Sequence, residues 1–77
     1  MTAFVPMEVR PRPALLDVVA LLADRPDLGL FRGAIGTVVE PLDDETSLVE
    51  FSDDDGRAIA IMACPHRGLR FVASPQN

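Results

Sequence analysis

Residues 52–56, Ser-Asp-Asp-Asp-Gly, lie between two strand-forming runs and constrain this chain more than any other feature. An Asp-Gly pair accepts the positive φ that tight hairpin loops demand. On one side, Leu48-Val49-Glu50-Phe51 alternates, with Val49 and Phe51 on one face and Leu48 and Glu50 on the other. On the other side, Arg57 to Ala63 returns as a second strand.

The flanking segments extend the same pattern in part. Gly33 and Gly36 precede Thr37-Val38-Val39, which suits a tight bend feeding a strand where backbones approach closely. Arg25–Gly29 and Pro41–Thr46 read as turns. Pro65 stops the returning strand, Gly68 marks another turn, and Arg70–Ala73 forms a last short strand. Ala14–Ala23 admits two readings. Leu15, Val18, Val19 and Leu22 fit a helix face, with Pro13 suited to the first helical position. A nearly continuous apolar run also fits a strand buried on both faces, and periodicity alone slightly favours the helix. Residues 1–13 carry Pro6, Pro11 and Pro13 between Arg10 and Arg12 and read as an extended or flexible arm. Val19, Leu21, Val38, Val49 and Phe51 are the expected core, and Phe31 is assigned to it as well.

Seventy-seven residues make one domain with a core near the lower limit for independent folding. Four Phe and no Trp or Tyr leave that core to small aliphatic contacts, so its stability margin is thin and a partner or self-association could add to it. The lone Cys64 allows no intrachain disulfide, which fits the reducing cytosol. The longest apolar stretch near the start, Ala3–Met7, is broken by Pro6, and no run approaches the roughly 20 apolar residues of a membrane span. A cytoplasmic protein without membrane association is expected. Charge is more informative. Seven arginines, no lysine and twelve acids give a net charge of −5. Eight of those acids and no base fall between Glu40 and Asp55. Such a chain repels phosphate backbones, which argues against nucleic acid as a partner.

Several of these residues together resemble a known family. Leu16-Asp17-Val18-Val19-Ala20-Leu21, then Gly29-Leu30-x-Arg32-Gly33-x-x-Gly36-Thr37-Val38-Val39-Glu40, then Val49-Glu50-Phe51 and Asp55-Gly56-Arg57 are similar to the small bacterial proteins grouped as domain of unknown function 4926. The resemblance covers about residues 15–72 and implies an all-β fold, a small five-stranded SH3-like barrel over residues 14–73 with an N-terminal arm (1–13) and a short tail (74–77). It places the strands at 16–22, 34–41, 47–52, 57–63 and 70–72, which resolves the ambiguous segment as a strand, and barrel closure would hide most edge backbone groups. At the level of fold alone, the Gly33/Gly36 turn is similar to barrels of the nitrile hydratase β-subunit and to KOW modules. The family implies no activity.

The residues themselves argue against most chemistries. Asp53–Asp55 suggests a calcium loop, but such a loop needs alternating acids and a glutamate six residues after its glycine, where this chain has Met62. The acidic turns at 43–45 and 53–55 flank one strand and lie roughly 20 Å apart, too far to share an ion. Cys64-Pro65-His66 offers a thiol and an imidazole on near neighbours that rarely face each other, and too few ligands for structural zinc. A buried cysteine and an exposed histidine are expected there. Asp17 and Glu50 read as structural acids, since a barrel of this size leaves little pocket. Gly33-Ala34-Ile35-Gly36 lacks the Lys-Ser/Thr of a phosphate loop. Without Trp or Tyr there is no aromatic groove for proline-rich peptides.

The expected function is therefore a non-enzymatic protein–protein interaction module without a cofactor: a small regulator, an immunity- or antitoxin-like partner, or an accessory subunit. Its partner would be a protein with a basic surface, met by Asp43, Asp44, Glu45, Asp53, Asp54 and Asp55, and self-association is a further option. The alternatives are a KOW-like nucleic-acid-associated module and a metal-binding or enzyme-accessory protein.

Overall fold

A computed structural model describes residues 13–75. Residues 1–12 of the expected arm and 76–77 of the expected tail lie outside the described residues. The described residues form five strands: β1 (Val18–Leu21), β2 (Ile35–Pro41), β3 (Thr46–Ser52), β4 (Ala58–Pro65) and β5 (Leu69–Ala73). Each expected strand is present, with ends shifted by at most two residues. Two single-turn 3₁₀ segments interrupt the connections, at Pro26–Leu28 and His66–Gly68. The strands make one antiparallel sheet in the order β4-β3-β2-β1-β5.

Ala14–Ala23 is not helical. A turn closes first, with the Asp17 N–H donating to the Ala14 carbonyl and the Ala14 N–H to Asp17 Oδ2, at 3.0 and 2.8 Å. Leu16 takes a positive φ of 70° in this turn, unusual for a leucine. β1 then pairs with β2 on one side and β5 on the other. Its residues Val19, Ala20 and Leu21 are all buried, as in a central strand covered on both faces.

A single sheet must curl to bury a face that no second layer covers. Three bulges supply the bend, at Val39 against β3, at Val72 against β1 and at Ile59 against β3. Each inserts one residue and increases local twist. The concave face gathers Val19, Leu21, Val38, Val49, Phe51, Cys64 and Leu69 from all five strands, with Leu30 added from the β1–β2 connection. The five expected core residues are all there. The curl stops short of closure: β4 and β5 are the two edges of the sheet, and no ladder joins them.

The tightest fit in this core is a missing side chain. A Cβ on Gly36 would sit 2.6 Å from Val49 Cγ1 and 2.8 Å from Phe51 Cε1, well inside van der Waals contact. Gly36 lies opposite Phe51 in the β2–β3 ladder, so the ring packs over bare backbone. Gly36→Ala should destabilise the chain by about 1–3 kcal/mol through overpacking. Phe51→Ala should cost roughly 3–5 kcal/mol, enough to unfold so small a domain. Phe51→Leu should recover part of the Gly36→Ala loss, because a shorter side chain vacates the space the new methyl needs. Denaturant melts of the two single variants and the double variant check this coupling.

Candidate functional site

The β1–β2 connection, residues 22–34, is a built excursion. Arg25 and Leu30 exchange both backbone hydrogen bonds, at 2.7 and 3.0 Å, around the Pro26–Leu28 turn, and Gly29 closes that turn with φ 73°. The Gly33 N–H returns to the Leu21 carbonyl, and Asp24 Oδ1 accepts the Arg32 N–H. On the outside, the Arg25 guanidinium pairs with Asp27 at 3.1 Å and raises its own pKa while lowering that of the carboxylate. Leu30 anchors the excursion in the core, 3% exposed. Its neighbour Phe31 is 57% exposed. The expectation that Phe31 belongs to the core is thus corrected: the buried anchor is the leucine beside it.

Facing this excursion is the β3–β4 turn. Asp53 Oδ1 accepts the N–H groups of Asp55 and Arg57, both at 2.9 Å, and Gly56 takes φ 84°. Asp53 therefore shapes the turn with its own carboxylate, the ordinary reason for aspartate at such a position. Asp54 and Asp55 are exposed. Between excursion and turn runs an open groove of about 440 Å³, with Phe31, Ile35 and Ile59 on its walls, Phe51 among its lining, and Arg32, Asp53 and Asp54 as its charged groups. The three wall residues are large, apolar and exposed. Sequence reasoning left little room for any pocket, and it missed this one because the groove forms between two connections distant along the chain. Its available signal was the spacing: an inward Leu30 turns its neighbour outward.

The other acidic turn is elsewhere. Asp43 Oδ1 accepts the Glu45 N–H at 2.8 Å, and this turn precedes the seven-residue β3 that the 53–55 turn follows. A strand of that length holds them roughly 20 Å apart. Asp43, Asp44 and Glu45 therefore do not join the groove. Among the described residues no three His, Cys, Asp or Glu come close enough to hold a metal ion.

The Cys64–His66 region differs from expectation in one respect. Cys64 is buried in the core, as expected, and burial raises its thiol pKa although Arg25 opposes the shift. His66 is half-buried rather than exposed, its Nε2 2.8 Å from Ser47 Oγ. Ser47 is fully buried and lies opposite Cys64 in the ladder. A serine–histidine bond is a hydrolase-like pairing, but a hydroxyl with no exposed surface reaches no substrate. Its role is to satisfy a buried polar group. Ser47 was legible in principle, two residues before Val49 on the inward face of β3.

A model of the family described as "Domain of unknown function (DUF4926)" matches residues 15–70. No curated protein and no solved structure matches the chain.

Burial sets the behaviour of Cys64. A thiol reagent should label the native chain far more slowly than the unfolded one, at a rate that tracks opening of the sheet. Because the folded pKa is raised, the thiol's stabilising contribution is complete below the unfolded pKa of about 8.5 and is lost as pH rises through the folded value. Cys64→Ala should lack that part of the alkaline decline. Denaturant melts of both proteins between neutral and alkaline pH make the comparison.

Proposed function

We propose, for a chain that belongs to the DUF4926 family, a non-enzymatic role as a cytoplasmic protein-interaction module that receives a basic partner segment with an apolar anchor. The observation that carries this reading is the groove, where Phe31, Ile35 and Ile59 remain exposed beside Asp53 and Asp54. Exposed apolar side chains gathered in a concavity mark interaction surfaces more than scattered ones do. A small regulator, an immunity- or antitoxin-like partner, or an accessory subunit would use such a surface.

The two kinds of residue have separate work. Exposed carboxylates at the rim raise the encounter rate with a basic surface, and each adds only about 0–1 kcal/mol to affinity. The aromatic wall holds the anchor once docked, so it governs dissociation. The acidic stretch of the chain supports a basic protein partner over a phosphate backbone.

The test begins with a partner captured from the source cell and measured by binding kinetics. Asp53→Asn with Asp54→Asn keeps the turn's carbonyl acceptors and should lower the association rate and flatten its salt dependence. Phe31→Ala should weaken binding by about 2 kcal/mol, mainly through faster dissociation, with little loss of fold stability because the ring is exposed. Amide shifts on titration should concentrate in residues 29–35 and 52–54. Binding that ignores all three substitutions would remove the groove from the function.

A further inference from the structure

Asp55-Gly56 is the chain's one aspartate–glycine pair, and it lies in the exposed turn between β3 and β4. A backbone amide can attack the side-chain carboxyl of the residue before it and close a succinimide ring. A side chain on the attacking residue crowds that approach, and glycine has none. Every other aspartate of the chain precedes a residue that carries a side chain. Ring closure is therefore least hindered at Asp55.

The carboxylates are also restrained unequally. Asp53 Oδ1 accepts the N–H groups of Asp55 and Arg57, both at 2.9 Å, so that carboxyl is held against its own turn. Asp24, Asp27 and Asp43 are held likewise, by the Arg32 N–H, the Arg25 guanidinium and the Glu45 N–H. Asp55 is exposed, and among the described residues no hydrogen bond or ion pair holds its carboxyl. The restraint that remains lies on the attacking amide, since the Gly56 N–H donates to the Asp53 carbonyl at 3.0 Å. A single hydrogen bond in an exposed turn opens at small cost. Gly56 has φ 84° and nothing within 4 Å of where a Cβ would stand, so its peptide has room to swing once that bond opens.

We propose that Asp55 is a site of spontaneous backbone isomerisation, converting to isoaspartate through a succinimide. The Gly56 nitrogen attacks Asp55 Cγ and a new N–C bond forms. The hydroxyl of the protonated carboxyl leaves with the amide proton as one water. Water then adds back to the ring. Opening at Cγ restores aspartate, whereas opening at the backbone carbonyl leaves the chain running through Cγ. That product keeps the parent's mass and charge, with an extra methylene in the backbone and the carboxylate on the other branch. The turn is closed by the Asp53 N–H donating to the Arg57 carbonyl and by the Gly56–Asp53 bond. A longer backbone between Asp53 and Arg57 breaks both and displaces Asp53 and Asp54, which line the groove. On the proposed reading of the groove as the partner site, ageing at Asp55 weakens binding.

Peptide mapping of the full chain, held folded in warm neutral buffer for several weeks, reads the step. The expected products are a minor species lighter by one water and a larger one of equal mass with shifted chromatographic retention. Electron-transfer fragmentation, which separates isoaspartate from aspartate, should place both at residue 55. Asp55→Glu should abolish both species, because the larger ring closes far more slowly. Asp55→Asn should convert severalfold faster, with ammonia leaving in place of water. Unfolding in urea should accelerate the parent severalfold by releasing the Gly56 amide. The purified isoaspartyl form should lose exchange protection at the Gly56 and Arg57 amides. A folded chain that stays unmodified while its urea-unfolded sample converts overturns the proposal. Modification spread evenly over Asp53, Asp54 and Asp55, or surviving Asp55→Glu, overturns it equally. An isoaspartyl form that keeps both amides protected overturns the displacement of the turn. Partner binding is measured separately: an isoaspartyl form that binds as the parent does leaves the isomerisation standing and counts against the groove.

Discussion

The packing of the Phe51 ring on the bare backbone of Gly36 is the contact on which the rest of the structure depends. Among the described residues Phe51 is the largest fully buried side chain, and the chain has no Trp or Tyr to take its place. The ring fits because the facing strand offers no Cβ there. β2 and β3 can therefore approach at the end of the sheet where the acidic turn follows. Fixing that end also fixes Asp53 and Asp54 relative to the β1–β2 excursion, and Phe51 itself lies beneath the groove between them. The best-packed point of the core and the candidate interaction surface are two sides of one side chain.

What was legible in the sequence follows from how local each signal is. The Asp-Gly turn, the Gly33/Gly36 punctuation and the alternation of Leu48–Phe51 are properties of neighbouring residues, and they located four strands and the core pairing of Val49 with Phe51. The segment at 14–23 was harder. Ala20 is only 1% exposed although it lies on the face opposite Val19 and Leu21, because it is small and its ladder partners Ile35 and Arg70 stand on either side. Burial on both faces removes the two-residue rhythm that identifies a strand, so the family resemblance, not the periodicity, resolved it. The Ser47–His66 bond was missed because it joins residues distant along the chain, and Phe31 because only the tertiary fold decides that Leu30, not its neighbour, enters the core.

Those misses change the functional reading in different ways. The Ser47–His66 bond ties the short turn after β4 back to β3, reinforced by the His66 N–H donating to the Glu45 carbonyl. Its polar atoms satisfy one another in the interior, which explains their proximity without chemistry. Phe31 has no such structural account. Leu30 already anchors the excursion, so burying Phe31 is unnecessary for holding the loop, and its exposed ring costs the free chain apolar contact with water. An aromatic left outside a thin core, when the core has few large side chains of its own, is the feature that most favours a binding surface over a solvated loop.

The bulge at Ile59 links the remaining pieces. One extra residue in β4 bends the sheet so that Cys64 and Leu69, on its two edge strands, reach the same core. The same insertion exposes Ile59 as a wall of the groove and twists the beginning of β4, so that regular pairing on its free edge can start only at Ala60. The Ile59 bulge thus contributes at once to curvature, groove and available edge. A chain of this size cannot optimise them separately: straightening β4 would lengthen its free edge while removing a groove wall and opening the core. The incomplete closure of the sheet follows from this compromise, with enough bend to gather one core and too little to bring β4 and β5 into a ladder.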